Sequence, residues 1–146
     1  MLIVIAAAIV LVILVVGTHL LAFNAISNYL RRRPVIRHHH IGIAVLAAIL
    51  AHLFEIWLFS IAIRLLLLSG LAGHFEGHIE QEHRDYFFLS AATYTSLGSE
   101  ILPKGDLRVF LAVEALTGLV LITWTASFLF LIMQRNWEQD RWLRKK

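Results

Sequence analysis

The stretch Ala92-Thr93-Tyr94-Thr95-Ser96-Leu97-Gly98-Ser99-Glu100 decides the fold of this chain. It is rich in hydroxyl groups, ends in an acid and lies between two long apolar segments. Residues 85–95 predict a short helix with Asp85 as its N-cap. At 1.5 Å per residue this helix would be about 16 Å long, half of the roughly 30 Å hydrocarbon core of a bilayer. A polar strand at that depth is tolerated only where it lines water or is buried in protein, so the pattern predicts a re-entrant pore loop.

Three apolar segments around this loop predict an all-α membrane protein with three transmembrane helices. The mean hydropathy of +0.74 and the 59% share of hydrophobic residues lie far above globular usage. Residues 1–30, 41–68 and 107–134 are each long enough to span a bilayer. A secretory signal peptide is the alternative for the first segment, but no basic region precedes it and no clear cleavage pattern ends it.

The distribution of charge predicts the orientation of these helices. The hinge 31–40 carries four arginines, and the tail 135–146 carries five bases against two acids. Both are therefore expected on the cytoplasmic side of the cell membrane, with the N-terminus outside. Residues 70–106 carry six acids against two bases and are expected to be extracellular or re-entrant. The histidines at 38–40 are adjacent and point in different directions, so we favour a surface facing lipid headgroups over a metal site.

Several function classes have no support in the sequence. No nucleotide, phosphate-loop or catalytic-triad motif is present, and we predict neither an enzyme nor a nucleic-acid-binding protein. The chain contains no cysteine, which excludes disulfides and thiolate metal sites. No bound cofactor is predicted. No span carries arginine at every third position, so a voltage sensor is not predicted.

Residues 87–100, followed by Glu114-Ala115-Leu116-Thr117-Gly118-Leu119, resemble the pore loop and inner helix of the two-transmembrane potassium channel superfamily. More narrowly, the chain is similar to small bacterial members with an extra N-terminal span. Their outer helix carries a His-x-x-Glu-x-Trp pattern, present here as His52, Glu55 and Trp57. The resemblance implies a tetramer whose subunits each carry an outer helix (41–68), a turret (70–84), a pore helix with filter (85–100) and an inner helix (107–134).

The filter departs from the family pattern Thr-Tyr-Thr-Thr-Leu-Gly-Tyr-Gly-Asp at its outer end. Aligned from Thr93, the family's tyrosine becomes Ser99 and its second glycine becomes Glu100. A rival alignment with one residue deleted places Glu100 against the family's aspartate. In the first alignment, carbonyl rings would be followed by a ring of four carboxylates, which would weaken discrimination between K⁺ and Na⁺ and attract Ca²⁺ or Mg²⁺. The predicted ion-binding residues are Thr95, Ser96, Leu97, Gly98, Ser99 and Glu100.

Residues of the third span are candidates for filter support and gating. Glu114 is expected to brace the loop through Thr93, Thr95, Ser96 or Ser99, with direct ion contact as the alternative. Gly118 is either a gating hinge or a site of close helix contact. A helical spacing predicts a stripe that faces the ion cavity, with a hydrophobic constriction at its last member. This stripe consists of Thr117, Leu121, Thr125 and Phe128.

Histidines and carboxylates form two candidate sensing sites. His52 and Glu55 lie three apart on one helical face and can pair, either to satisfy each other between helices or as a proton-sensitive element. His19, near the end of the first span, is expected at the membrane interface. The turret alternates imidazole and carboxylate, which favours a vestibule that concentrates cations over a zinc, calcium or external-pH site. Its histidines are His74, His78 and His83.

The sequence therefore predicts a homotetrameric channel that conducts monovalent cations passively through a filter of carbonyls and acidic side chains. A K⁺-selective channel and a non-conducting membrane scaffold are the alternatives. The predicted partners are three further copies of the chain and the lipid bilayer.

Overall fold

The computed structural model describes residues 1–33, 35, 37–70, 72–76 and 82–143. Its elements are α1 (Leu2–Arg31), α2 (His38–Leu68), β1 (Phe75–Glu76), α3 (His83–Tyr94), β2 (Leu102–Pro103) and α4 (Leu107–Leu143). Three of them, α1, α2 and α4, are long and apolar enough to cross a membrane. The prediction of an all-helical protein with three candidate spans is confirmed.

Two helix ends differ from the sequence expectation. The short helix α3 begins at His83, with Glu82 at the N-cap position and Asp85 inside the first turn. Asp85 is therefore not the N-cap, although an acid in the first turn still favours the helix dipole. At the other end of the chain, α4 continues beyond residue 134 to Leu143. The first part of the basic tail is thus helical, because neither glycine nor proline interrupts it.

The three long helices form a bundle in which α1 and α4 run in the same direction and α2 runs against them. The amino group of Met1 contacts the carboxylate of Asp106, so α1 and α4 begin at the same end of the bundle. The main core lies in this half and a smaller one in the other. The main core is built on Val4, Val15, Phe59, Ile63, Tyr94, Leu107, Phe110 and Leu121, and the smaller one on Phe23, Ile26, Leu30, Ala44 and Ile132.

A two-stranded antiparallel hairpin joins the segments before α3 and before α4. Phe75 lies opposite Pro103, and the N–H of Lys104 donates to the carbonyl of His74 at 2.8 Å. Gly73 has a φ of +112°, and a Cβ there would lie 2.2 Å from the carbonyl oxygen of Lys104. The hairpin therefore requires glycine at this position. It ties the end of α2 to the start of α4, with α3 between them.

The C-terminal end of α3 reaches the middle of the bundle. The hydroxyl of Tyr94 contacts Glu55 of α2, about 20 Å from the end of that helix at Leu68. Its backbone carbonyl packs on Gly118 of α4, about 17 Å from the start of that helix at Leu107. The loop that follows Tyr94 therefore starts about 17–20 Å from these ends of the two neighbouring helices.

Candidate functional site

The loop after α3 begins with a hydrogen-bonded helix cap. Ser96 has a φ of +58°, its N–H donates to the carbonyl of Thr93 at 3.0 Å, and the N–H of Leu97 donates to that of Ala92 at 2.8 Å. This is the Schellman arrangement, in which a left-handed residue turns the chain out of the helix. The N–H of Gly98, a residue with a φ of +83°, also points to the Ala92 carbonyl, at 3.3 Å.

This cap fixes the direction of two backbone carbonyls. In a trans peptide the carbonyl points opposite to the N–H of the next residue. Because the N–H groups of Leu97 and Gly98 both point to Ala92, the carbonyls of Ser96 and Leu97 both point away from the end of α3. Residues 95–100 are all exposed in the protomer. Two successive carbonyl oxygens on one exposed side are suitable ligands for a cation.

The side chains of the predicted ion-binding residues are less directed than these carbonyls. The hydroxyl of Thr95 donates back to the carbonyl of Ala91 at 2.7 Å, and that of Ser99 donates to the carbonyl of Ile101 at 3.3 Å. The side chain of Glu100 is exposed. The hydroxyl protons of Thr95 and Ser99 are therefore engaged by nearby backbone.

Glu114 braces α3 through a residue that the sequence did not single out. It is fully buried, and its Oε1 accepts a hydrogen bond of 2.5 Å from the hydroxyl of Ser90. The expected partners Thr93, Thr95, Ser96 and Ser99 are corrected to Ser90, because Glu114 lies level with the middle of α3. Among the described residues, the second carboxylate oxygen of Glu114 has no hydrogen-bond partner.

Gly118 allows α3 and α4 to approach closely. A Cβ at this position would lie 2.1 Å from the carbonyl oxygen of Tyr94 and 2.8 Å from its ring. Of the two alternatives for this glycine, the close helix contact is present, and the gating hinge stays a prediction. Tyr94 can take its position only because residue 118 has no side chain.

The predicted cavity-facing stripe of α4 points into the protomer instead. Leu121 and Thr125 are 1% and 7% exposed, and Phe128 stacks on Phe23 of α1 with ring centroids 4.2 Å apart. Thr117 is half-buried and donates to the carbonyl of Val113. The expectation is corrected because α1 and α2 cover this face of α4. The opposite face is exposed and includes Leu116, Leu119, Val120, Thr123 and Ser127.

A second polar site lies around the carboxylate of Glu55, which is fully buried in the bundle. Its Oε1 lies 2.7 Å from Nδ1 of His19, and its Oε2 lies 3.1 Å from Nδ1 of His52. The hydroxyl of Tyr94 donates to Oε2 at 2.5 Å. The predicted pairing of His52 with Glu55 is therefore present. The expectation for His19 is corrected, since its side chain is fully buried rather than interfacial.

Thr125 closes this site from α4. Its hydroxyl oxygen lies 2.9 Å from Nε2 of His52 and 3.2 Å from Nε2 of His19. Burial, followed by the bond to Glu55, raises the pKa of Tyr94 above its ordinary value, so its hydroxyl stays a donor. Glu55, His19, Thr125, His52 and Tyr94 are called the buried ring below. Its members come from all four helices.

The distances within the buried ring are those of hydrogen bonds. The ligand atoms of His19, His52 and Glu55 lie within 4.8 Å of one another, which is close enough to consider a bound ion. In a tetrahedral zinc site, however, bonds of 2.0–2.1 Å place two ligand atoms about 3.3 Å apart. The two histidine–carboxylate distances are shorter, 2.7 and 3.1 Å. A proton between the atoms fits these distances.

The turret histidines give no defined site. His74 is exposed, and the ring of His83 contacts the guanidinium of Arg64. His78 lies outside the described residues. The vestibule and its zinc, calcium or external-pH alternatives stay predictions.

Sequence reasoning missed three members of the buried ring. A histidine inside an apolar span is costly, so His19 carried a signal for a buried partner. Tyr94 and Thr125 carried no such signal, because a hydroxyl is ordinary in a span. No family model, curated protein or solved structure matches this chain.

Proposed function

We propose that this protein is one subunit of a homotetrameric cation channel in the cell membrane, with residues 95–100 of four copies lining the ion path. The observation that carries the proposal is the pair of carbonyls on Ser96 and Leu97, both directed away from the end of α3 on an exposed loop. An ion passing this loop would exchange its water for these oxygens and move down its own gradient.

The depth of the loop favours a closed ring of subunits. The loop starts about 17–20 Å from the ends of the neighbouring helices, near the centre of a bilayer about 30 Å thick. Exposed backbone at that depth would cost several kcal/mol for each unsatisfied group if it faced lipid. Cyclic symmetry places the loops of all subunits around one water-filled axis and removes this exposure.

Two further features suit such an axis. The C-terminal end of α3 carries the negative end of its helix dipole, which favours a cation beyond it. The exposed face of α4 bears the hydroxyls of Thr123 and Ser127 within an apolar span. We assign this face, in place of the buried stripe, to the ion cavity.

The charges at the two ends of the bundle favour one orientation. Met1 lies beside Asp106, at the end that carries the hairpin with Glu76. Arg31 to Arg33 lie at the opposite end, as do the bases of the helical tail of α4. The basic end is assigned to the cytoplasm and the N-terminus to the outside.

The selectivity that we propose is weak between K⁺ and Na⁺, because two carbonyl rings are fewer than a long filter supplies. Four Glu100 carboxylates at the outer mouth would attract Ca²⁺ or Mg²⁺ and let them block or permeate.

Flux from liposomes that contain the purified protein tests this proposal. We expect K⁺ and Na⁺ efflux that external Ca²⁺ blocks, and a Glu100→Gln variant that needs about tenfold or more Ca²⁺ for the same block. Glu138→Gln is the matched control, because Glu138 is an exposed acid in the distal part of α4. Cross-linking in lipid should give a tetramer. A monomer in lipid, or no ion flux, would overturn the channel; flux of K⁺ alone would overturn the weak selectivity.

A further inference from the structure

The buried ring is a closed circuit of hydrogen-bond contacts. Glu55 meets His19 at 2.7 Å, and His19 meets Thr125 at 3.2 Å through its other nitrogen. Thr125 meets His52 at 2.9 Å, and His52 returns to Glu55 at 3.1 Å. Tyr94 contacts Glu55 at 2.5 Å, and its hydroxyl oxygen also lies 2.9 Å from Nδ1 of His52, which therefore faces both Glu55 and Tyr94. The four contacts of the circuit and the bond from Tyr94 to Glu55 each need one hydrogen atom, and a hydrogen on Nδ1 of His52 serves both of its neighbours.

Neutral imidazoles do not supply enough hydrogens for this circuit. Ionised Glu55 supplies none, the two hydroxyls of Thr125 and Tyr94 supply one each, and each neutral imidazole supplies one. That makes four hydrogens for five contacts. The shortage falls on Thr125 when both histidines donate to Glu55, because one hydroxyl cannot donate to two nitrogens. If neutral His52 carries its hydrogen on Nε2 instead, its Nδ1 can accept from Tyr94, but the 3.1 Å contact between Nδ1 and Glu55 is then left without a hydrogen.

One additional proton completes the circuit. An imidazolium donates from both nitrogens, so His52 in this form would donate to Glu55 and to Thr125. The hydroxyl of Thr125 is then free to donate to His19, which donates to Glu55. The charge can also lie on His19. His19 then donates to Glu55 and to Thr125, the hydroxyl of Thr125 donates to His52, and His52 donates to Glu55. We propose that the buried ring is a binding site for one proton, which His19 and His52 share through the hydroxyl of Thr125.

The charges around the ring agree with one bound proton. The titratable groups facing it are His19 from α1, His52 and Glu55 from α2, and Tyr94 from α3, while α4 supplies the non-ionisable Thr125. One imidazolium beside one carboxylate gives a buried cluster of zero net charge, whereas loss of the proton leaves an uncompensated charge. Glu114, the other buried acid of the bundle, is bound to Ser90.

A route for the proton is visible in the exposure of the two imidazoles. The His52 side chain is 16% exposed and that of His19 is fully buried. A proton would enter at His52 and reach His19 by reversal of the Thr125 hydroxyl. Aromatic rings cover His19 further, with Phe23 at 4.3 Å and Trp124 at 5.6 Å between centroids.

Proton binding at this site would affect the packing of the whole bundle. The ring joins all four helices, and Tyr94 is the last residue of α3 before the exposed loop. Removal of the proton leaves one of the five contacts without a hydrogen, so the ring opens at that contact. The proton site does not depend on ion conduction, so its test is separate from the flux test above.

Nitrogen-15 NMR of histidine-labelled protein in lipid or detergent tests the proposal directly. At about pH 7.5 a free imidazole is mostly neutral. We expect an imidazolium signal from one buried ring histidine, or its average over both, assigned by its change in His19→Asn and its persistence in His38→Gln. His38 is the control because it is exposed at the start of α2.

Two variants sharpen this test. Glu55→Gln removes the counter-charge and should abolish the imidazolium signal at this pH. Thr125→Val removes the shared hydroxyl and should weaken proton binding at least tenfold, about one pH unit. Neutral spectra for both His19 and His52 in the wild-type protein would overturn the proposal, whether or not either variant folds. An imidazolium signal that persists in folded Glu55→Gln protein would also overturn it.

Discussion

Replacing Gly118 by alanine tests the close contact between α3 and α4. The new Cβ would lie 2.1 Å from the carbonyl oxygen of Tyr94 and 2.9 Å from its carbonyl carbon. Ordinary carbon–oxygen contacts are about 3.3–3.6 Å, so α4 must move away from α3 by about 1 Å. The backbone of Tyr94 cannot rotate aside as a flexible side chain would, because its neighbours form the end of a helix.

The magnitude follows from two opposing effects. Inserting a methyl group into a packed interface costs about 1–3 kcal/mol, and more where backbone must move. The gain in helix propensity from glycine to alanine returns up to about 1 kcal/mol. We expect a net loss of about 1–2 kcal/mol in the free energy of unfolding and a drop of a few degrees in Tm.

Thermal unfolding of the purified protein in one detergent, followed by circular dichroism, measures this loss. Gly17→Ala and Gly42→Ala are matched controls, because a Cβ at either helical position meets none of the described residues within 4 Å. These controls should keep or slightly raise Tm. If Gly118→Ala unfolds at the same temperature as the two controls, the close contact is refuted. Altered gating in a Gly118→Ala protein of normal stability would favour a hinge instead.

Three other substitutions test separate contacts. Tyr94→Phe removes a hydrogen-bond donor from buried Glu55 and should lower the free energy of unfolding by about 1–3 kcal/mol. Tyr29→Phe, outside the buried ring, should lower it less. Equal losses in Tm for the two variants would contradict a role of the Tyr94 hydroxyl in stability. Ser90→Ala removes the hydroxyl that donates to the buried carboxylate of Glu114 on α4. The free energy of unfolding should fall by a similar amount, and a Tm equal to that of the wild-type protein would contradict this. At Gly98 a Cβ meets none of the described residues within 4 Å. Gly98→Ala should therefore cost about 1 kcal/mol through its positive φ while it lowers ion flux, and unchanged flux would count against the loop as the ion path.

The sequence was sufficient for the elements of the fold but not for the faces of its helices. The length and apolarity of the three spans predicted them, and the charged segments predicted where the chain turns. The rotation of each helix was not predictable, because these spans are apolar on nearly every side and carry little amphipathic pattern. For this reason the helical spacing predicts a cavity face through Leu121 and Thr125, whereas both residues are buried against the other helices.

In the candidate site too, a contact within one helix could be predicted and a contact between helices could not. His52 and Glu55 lie three residues apart, so their pairing follows from helical spacing. The contact of Glu55 with His19 joins positions 36 residues apart. No periodicity within one span predicts which residue of another span will lie opposite. The sequence indicates such a partner only through an ionisable residue within an apolar helix, because a charge there needs a polar group on a neighbouring helix.

The loop after α3 is positioned from behind by two buried carboxylates. Ser90 and Tyr94 lie one helical turn apart on α3. The hydroxyl of Ser90 contacts Glu114 of α4 and the carbonyl of Ile56 of α2, and that of Tyr94 donates to Glu55 of α2. The two hydroxyl–carboxylate bonds hold α3 at its last residue and one turn before it. They therefore fix the position of the helix cap, whose carbonyls on Ser96 and Leu97 point away from the end of α3.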